Sequence, residues 1–193
     1  DPNAHLIVGF KKDSNAKEYV EHLESKTLLD ILYTVEVNNG DVFFLDTGTV
    51  HAIGAGLLVA EIQQTSDITY RLYDFDRVDA QGNKRELHVD LALDAINYNR
   101  TEARKSYAKT QNVSNTVVDC QYFTTHFIPL DGAVNINRDG NSFIVYMCTE
   151  GDFIIRSNGI EYRYGKGDTV LIPAAITEYQ LDGKASILEI YIK

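Results

Sequence analysis

The side chains of this chain that could do chemistry are concentrated between His51 and Arg77. A neutral imidazole can bind a divalent metal, and a carboxylate such as that of Glu61 can carry a proton. An arginine such as Arg71 or Arg77 offers paired N–H donors that match a phosphate or a carboxylate. These are the residue types that metal, acid–base and phosphate chemistry uses, although their spacing alone assigns a role to none of them.

Each of these side chains also has a structural interpretation. A single histidine such as His51 is more often structural than catalytic. Arg71 could form an ion pair at the edge of a strand, and Arg77 stands among three aspartates with which it could pair on the surface. Glu61 lies between apolar residues of a predicted strand, where a buried carboxylate would need a partner. His88, at the start of a predicted helix, is interpreted as structural.

An internal repeat places His51 in a wider pattern. Residues 40–51 read GDVFFLDTGTVH, and residues 167–178 read GDTVLIPAAITE. Each copy has a Gly-Asp turn, an apolar strand, a second turn and then a polar residue at a fixed place, His51 in one copy and Glu178 in the other. Two matches in register over this length predict two copies of one β unit.

The repeat resembles the second signature of the cupin superfamily, in which a Gly-Asp turn leads through a strand to a metal-binding histidine. The resemblance implies two jelly-roll barrels, with His51 a ligand in the first and no metal in the second. The leading strands of the first barrel would lie ahead of Asp1, so we expect this barrel to be incomplete at its N-terminal side. Only Leu6–Phe10 of that region remains, and it matches Phe153–Ser157.

A longer motif identifies a family within the cupins. Residues 47–77 read TGTVHAIGAGLLVAEIQQTSDITYRLYDFDR, in which Asp67 is interpreted as a turn residue. This motif resembles the type I mannose-6-phosphate isomerases of the short bacterial form, and the likeness continues through Arg85-Glu86-Leu87-His88 and the C-terminal region. The chain is similar to the C-terminal portion of such an enzyme. Asp46, where the family usually has proline, touches a turn and not the chemistry.

The resemblance implies an aldose–ketose isomerase that interconverts mannose 6-phosphate and fructose 6-phosphate. It implies zinc-assisted proton transfer through an enediol, with one zinc held by a glutamine, two histidines and a glutamate. His51 matches the last ligand, and the others are expected upstream of Asp1. Arg71 matches a catalytic arginine, and Glu61 and Arg77 match residues that bind the sugar-phosphate substrate. The 193-residue chain alone is then expected to be inactive.

Two other functions remain open. A non-catalytic bicupin that binds a sugar phosphate would share the fold but would hold no metal on His51. An iron-dependent cupin oxygenase would need a closely spaced histidine pair, and the sequence contains no His-x-His. Metal analysis of the full-length gene product distinguishes the first hypothesis from the others.

Composition excludes several classes of partner. Eighteen Lys and Arg against 28 Asp and Glu give a net charge of −10, which argues against nucleic-acid binding because that requires dense positive charge. No apolar run approaches the ~20 residues of a membrane span, so no membrane partner is expected. With only two cysteines and no signal peptide, a cytoplasmic location is expected. The oligomeric state does not follow from the sequence.

The predicted fold is mainly β, with two cupin barrels and inserted helices. The domain prediction is a remainder of the catalytic barrel in 1–99, a polar connection in 100–115 and a metal-free barrel in 116–193. Helices are predicted at about 13–32 and 86–97; the second follows from apolar residues at i, i+3, i+4 and i+7.

Local signals add capping residues and turns to this prediction. Asn15 and Thr27 are predicted helix caps, because each is followed three residues later by an acidic residue. Asn158-Gly159 predicts a tight hairpin, since both residues tolerate positive φ. Asp131-Gly132, Asp139-Gly140 and Asp182-Gly183 are interpreted as further turns between short strands.

Overall fold

The computed structural model of the chain describes residues 1–66, 68–74 and 77–192. Asp67, for which the sequence predicts a turn, lies outside the described residues, as does Asp76, one of the acidic neighbours of Arg77. The chain divides into two compact units, Asp1–Arg104 and Lys105–Lys193. The boundary between the units falls within the stretch that the sequence predicts as a connection.

The first unit is built on a small antiparallel sheet with strand order β2-β1-β4. Its elements are β1 (His5–Phe10), α1 (Ala16–Glu24), α2 (Leu28–Ile31), β2 (Leu32–Glu36), β3 (Val42–Phe43), β4 (His51–Ile53), α3 (Val89–Leu93) and, at its end, β5 (Arg104–Lys105). The short strand β3 pairs with β5. The two helices that follow β1 occupy the connection to β2, where they bury the core of this unit.

The helices α1 and α2 form within the predicted helical stretch. The Asn15 side chain accepts a hydrogen bond of 3.0 Å from the backbone N–H of Glu18, which confirms the predicted cap. The predicted cap at Thr27 is wrong, because its side chain makes no capping bond and lies 2.8 Å from the imidazole Nδ1 of His22 instead. The buried core of this unit comprises Ile7, Phe10, Tyr19, Leu28, Ile31 and Leu32.

The second predicted helix is shorter than its apolar periodicity indicates, since α3 covers only Val89–Leu93. Its start is fixed by His88, whose backbone N–H donates to the carbonyl oxygen of Arg71 at 2.8 Å instead of entering a preceding turn. Beyond its end, the N–H of Asn97 donates to the carbonyl oxygen of Gly48 at 2.9 Å. Both flanks of the helix are therefore tied to distant parts of the chain.

The second unit is a single antiparallel sheet with strand order β10-β8-β11-β7-β6, and β9 also pairs with β8. Its strands are β6 (Asn115–Asp119), β7 (Thr124–Asn137), β8 (Ile144–Ser157), β9 (Ile160–Gly165), β10 (Thr169–Ile172) and β11 (Glu178–Tyr191). Asn158 and Gly159 join β8 to β9 with φ of 51° and 76°, which confirms the predicted hairpin.

Two of the predicted turns are wrong, because the strands run through them. Gly132 lies inside β7 and Gly183 inside β11, and the two glycines are paired directly across the sheet. A Cβ on Gly183 would lie 2.5 Å from the backbone oxygen of Asp152, so only glycine allows this approach. A glycine with positive φ can bend a long strand without ending its ladder, and sequence signals do not distinguish such a bend from a turn.

The core of the second unit lies on one face of its long strands. Along β11 the alternate residues Tyr179, Leu181, Ala185 and Ile187 are all buried, as strand geometry requires of residues that share one face. The same face carries a charged residue, Glu189, which is only 6% exposed. A buried carboxylate in an apolar row needs hydrogen-bond donors around it.

The two Gly-Asp turns have the same local geometry. The N–H of Asp41 donates to the carbonyl oxygen of Asn38 at 3.0 Å, and the N–H of Asp168 donates to that of Gly165 at 2.9 Å. In return, each aspartate carboxylate accepts a backbone N–H bond of 2.8 Å from the residue three positions earlier. The glycine before each aspartate has positive φ. The repeat seen in the sequence is therefore also a repeat of structure at this turn.

Candidate functional site

His51 is placed by the turn that precedes β4. The N–H of Thr49 donates to the carbonyl oxygen of Asp46 at 3.0 Å, and Gly48 adopts a φ of 88°. A Cβ on Gly48 would lie 2.4 Å from the backbone oxygen of Ala95, so the turn requires glycine at this position. The turn thus fixes the point at which the chain enters β4 and presents His51.

The tautomer of His51 is set by its own backbone neighbourhood. The imidazole Nδ1 lies 2.9 Å from the carbonyl oxygen of Thr49, and a carbonyl can only accept, so Nδ1 carries the proton. In the neutral ring Nε2 then holds a lone pair. Histidines that bind metals use this arrangement, in which one ring nitrogen donates to a carbonyl or carboxylate and the other ligates. His51 is exposed, so Nε2 is accessible from outside this unit.

His51 fits a zinc ion as one ligand, but it does not complete a site with its neighbours in the described part of the chain. Among residues 1–66, 68–74 and 77–192, no group of three or more His, Cys, Asp or Glu side chains could hold a metal ion. Zinc sites in proteins need three or four protein ligands. The described residues therefore contribute a ligand with suitable chemistry rather than a whole metal centre.

Arg71 is held from both sides by the segment that precedes α3. Its backbone N–H donates to Nδ1 of His88 at 3.1 Å, and its carbonyl oxygen accepts the N–H of His88 at 2.8 Å. Its guanidinium donates from Nη1 to the carbonyl oxygen of Glu86 at 3.2 Å. The side chain is half-buried, and the remaining guanidinium N–H groups can serve a ligand.

Asp74 lies within reach of three guanidinium groups. Its carboxylate is buried and accepts two hydrogen bonds from Arg85, one of 2.8 Å from Nε and a second from Nη2. These hydrogen bonds lower the pKa of the Asp74 carboxyl against the opposing effect of burial, and the charges of Arg71 and Arg77 lower it further. Three arginines therefore lie near this one buried carboxylate.

Glu61 and Arg77 are placed less tightly. Glu61 is exposed and lies outside the strands, so the predicted burial on a strand is wrong and the carboxylate needs no buried partner. Arg77 is exposed as well, and its backbone N–H donates to the carbonyl oxygen of Asp74 at 3.0 Å. Both side chains are accessible, and their roles in substrate binding stay predictions.

The structure brings some of the predicted site residues together and leaves others apart. The positive charges of Arg71 and Arg77 both lower the pKa of the Asp74 carboxyl. Within the described residues, His51 and Glu61 form no hydrogen bond or ion pair with Arg71. A cavity of about 220 Å³ in the first unit lies elsewhere, between the end of α1, α2 and Tyr73, and none of the four predicted site residues lines it.

Sequence reasoning assigned no contacts to three residues that shape this region. His88 is interpreted from the sequence as structural, and the structure agrees, because it holds the backbone of Arg71 through two hydrogen bonds. Asp74 and Arg85 form the ion pair that anchors the segment between them. Only the inclusion of Asp74, Arg85 and His88 in the quoted motifs pointed to them, because their partners are 11 and 17 residues away.

Comparison with known proteins supports the resemblance seen in the sequence. Residues 113–192 match the family described as mannose-6-phosphate isomerase, cupin domain. The mannose-6-phosphate isomerase ManA of Bacillus subtilis is 33% identical over 189 residues, which cover 96% of this chain and 59% of that protein. A mannose-6-phosphate isomerase of Streptococcus mutans is also 33% identical, over 97% of this chain and 60% of that protein. The chain thus spans about three fifths of these relatives.

Solved structures give the same result for the fold. The crystal structure of the mannose 6-phosphate isomerase from Bacillus subtilis superposes with a TM-score of 0.89 at 28% identity, over 100% of this chain and 62% of that one. A phosphomannose isomerase from Salmonella typhimurium gives a TM-score of 0.68 at 13% identity, over 98% of this chain and 64% of that one, and supports the fold alone. The chain is mainly β, with few helices and a cupin-like fold.

Proposed function

Since this chain is related to the mannose-6-phosphate isomerases and carries their cupin domain in residues 113–192, we propose that its protein interconverts mannose 6-phosphate and fructose 6-phosphate. The observation that carries this proposal is the hydrogen bond from Nδ1 of His51 to the carbonyl oxygen of Thr49, because it leaves Nε2 free to ligate a metal. The substrate is then a small sugar phosphate, and the protein is an aldose–ketose isomerase.

His51 would hold a zinc ion as one of its ligands, through Nε2. Zinc, when bound, supplies a Lewis acid that polarises the oxygens of the sugar. The remaining ligands that the family resemblance implies are a glutamine, a second histidine and a glutamate, all expected upstream of Asp1. A single ligand binds zinc weakly, so we expect the 193-residue chain by itself to be inactive.

Arg71 would serve the reacting end of the substrate. Isomerisation moves a proton between C2 and C1 through an enediol, and negative charge develops on the sugar oxygens as the proton leaves. A guanidinium held in place by its neighbours stabilises such charge without having to reorganise. Arg71 meets this condition, since its backbone is held by His88 and its side chain by the Glu86 carbonyl.

Arg77 and Glu61 would bind the substrate rather than react with it. Arg77 is an exposed arginine near Asp74, and a guanidinium suits the phosphate of the substrate. Glu61 is an exposed carboxylate, which can accept hydrogen bonds from sugar hydroxyl groups. Neither role needs a buried partner, in agreement with the exposure of both side chains.

The wider architecture follows from the internal repeat. We infer that the chain holds two cupin barrels, a catalytic one that is incomplete at its N-terminal side and a C-terminal one without a metal. The matching hydrogen bonds at Asp41 and Asp168 support this interpretation. The order of strands supports it as well, because β1 pairs with β2 and β4 much as β8 pairs with β9 and β11.

Among the described residues, none of the helices combines the length and the apolar character of a membrane span. A cytoplasmic location remains our proposal. It is based on the small number of cysteines and on the sugar-phosphate substrate.

A coupled assay on the intact gene product tests the proposed activity. We expect fructose 6-phosphate to appear from mannose 6-phosphate, with activity lost on chelation and restored by zinc. If the protein is instead a non-catalytic bicupin, it should bind the sugar phosphate and form no product, whichever metal ion is supplied. Stoichiometric binding with no product, in protein reconstituted with zinc, would favour that alternative.

A further inference from the structure

The second unit contains a cavity, lined in part by charged and polar side chains, that the proposed isomerase chemistry does not use. It has a volume of about 310 Å³ and is lined by residues that include His126, Asn137, Arg138, Glu189 and Tyr191. This size is at the lower end of the range for small-molecule sites. The cavity is therefore large enough for a small metabolite.

Glu189 is an ionised carboxylate within the apolar face of this sheet. It lies on β11 directly opposite His126 on β7. This pair is two residues along the strands from the buried pair Ile187 and Ile128. Burial alone would raise the pKa of the Glu189 carboxyl, but hydrogen bonds from His126, Ser114 and Tyr146 lower it overall. The carboxylate is thus kept charged by the donors that surround it.

The donors around Glu189 form a chain whose direction is fixed. Because the carboxylate only accepts, the hydroxyl of Tyr146 must donate to it, at 3.0 Å. The hydroxyl of Tyr179 must then donate to the oxygen of Tyr146, at 2.9 Å. Arg138 is hydrogen bonded to Tyr179 and can only donate. This series of hydrogen bonds therefore runs from Arg138 through the two tyrosines to Glu189.

The other side of Glu189 belongs to His126. The imidazole Nδ1 lies 3.0 Å from the carboxylate and donates to it, so the neutral ring carries its lone pair on Nε2. The ring of Tyr191 packs edge-on against this imidazole. Nε2 of His126 is therefore the ring nitrogen left for contact with a ligand.

Arg138 has unmet bonding capacity. Its Nη1 is excluded from solvent and has no hydrogen-bond partner. Within the residues that the structure describes, no carboxylate forms an ion pair with its guanidinium. A buried guanidinium nitrogen without an acceptor is costly, and an acceptor oxygen brought by a ligand would relieve that cost.

We propose that this cavity binds a small oxyanion, the phosphate or carboxylate group of a metabolite, through Arg138 and His126. Arg138 supplies the charge-assisted donor that now lacks an acceptor. His126 lines the same cavity and offers Nε2, the ring nitrogen that does not contact Glu189, as a second polar contact. Arg138 and His126 both line this cavity, so a single ligand could contact both side chains.

Binding of inorganic phosphate and of acetate to the 193-residue chain tests this proposal by calorimetry. We expect at least one anion to bind in the millimolar range, and Arg138→Gln to weaken that binding about tenfold or more. Arg163→Gln is the matched control, because Arg163 is a 74% exposed arginine of the same sheet, paired with Glu161 on the surface. The control should bind like the wild type.

A second measurement guards against misfolding of the Arg138 variant. In the wild-type chain, the NMR signals of the His126 imidazole should move on addition of the anion, and should not move with chloride at equal ionic strength. Binding of phosphate alone identifies a phosphorylated ligand, and binding of acetate alone a carboxylate ligand. Binding of neither anion, binding unchanged by Arg138→Gln, or His126 signals that do not respond would each overturn the proposal.

Discussion

The backbone of Arg71 is joined to His88 by two reciprocal hydrogen bonds. The N–H of Arg71 donates to the imidazole Nδ1 of His88 at 3.1 Å, and the N–H of His88 donates to the carbonyl oxygen of Arg71 at 2.8 Å. Since Nδ1 accepts, the proton of the neutral imidazole sits on Nε2. These two hydrogen bonds fix the position of the Arg71 backbone relative to α3. They therefore also fix the point from which the Arg71 side chain, which we propose acts on the substrate, extends.

His88→Ala should lower kcat of the intact isomerase about tenfold or more while bound zinc is retained. The reason is that even a small displacement of a catalytic group strongly lowers the reaction rate. His88→Asn should recover part of kcat, since its amide oxygen can accept the Arg71 N–H. Steady-state kinetics and zinc content measure both effects.

The control for His88 is His22→Ala, which removes a histidine of the same unit whose side chain is hydrogen bonded to Thr27. If His88 acts only through stability, His88→Ala will lower the melting temperature and leave kcat of the folded enzyme unchanged. That outcome would remove the positioning role.

Arg71→Ala should reduce kcat by about 10²–10³ without loss of zinc, because a preorganised charge at the reacting oxygens is lost. Arg71→Lys should restore only part of the rate, since lysine lacks the planar fork. Arg100→Ala serves as the control, because Arg100 is an exposed arginine of the same unit that pairs with Glu102. Wild-type kcat and KM in folded Arg71→Ala would exclude Arg71 from the site.

Glu189 should make the stability of the chain depend on pH. Its pKa in the folded chain is below the ordinary value of 4.5, so its contribution is fully present above that pH and is lost as the pH falls through the folded value. Glu189→Gln should therefore unfold more easily than the wild type at neutral pH, and the difference should shrink below about pH 4.5.

Urea unfolding of the wild type and Glu189→Gln across this pH range gives the required free energies. Glu178→Gln is a suitable control, since Glu178 is an exposed glutamate of the same strand, β11. A difference between wild type and Glu189→Gln that is constant with pH would contradict the assignment of Glu189 as a charged, hydrogen-bonded carboxylate.

Asp168→Ala should destabilise the second unit by about 1 kcal/mol, because the N–H of Gly165 loses its charged acceptor. Asp168→Asn should lose less, since the amide oxygen can still accept. Asp152→Ala is the control, an exposed aspartate of β8 with no side-chain hydrogen bond in the described part of the chain. Chemical unfolding measures all three variants, and equal stability of Asp168→Ala and the control would contradict the role given to the turn.

Local features of this fold could be predicted from the sequence because neighbouring residues decide them. The cap at Asn15 and the hairpin at Asn158-Gly159 depend on side chains and φ values within a few positions. The Gly-Asp repeat is local in the same sense. The motif of residues 47–77 reached further only because it resembled a known family.

Features that depend on distant partners could not be predicted in this way. The sequence around Gly132 and Gly183 predicts turns. In the structure the two glycines lie opposite each other inside long paired strands, which they bend. Helix α3 ends before Asn97, whose backbone N–H donates to the carbonyl oxygen of Gly48. The spacing of apolar residues along the sequence does not reveal such a hydrogen bond. The placement of Arg71 by His88 joins residues 17 positions apart, and no local pattern in the sequence links them.

Zinc content and turnover of His51→Ala test the central claim most directly. In the intact gene product, His51→Ala should lose bound zinc and isomerase activity together, because Nε2 of His51 is a proposed ligand. His5→Ala, which removes an exposed histidine of the adjacent strand β1, should keep both. Stoichiometric zinc and wild-type conversion of mannose 6-phosphate in folded His51→Ala would contradict the account.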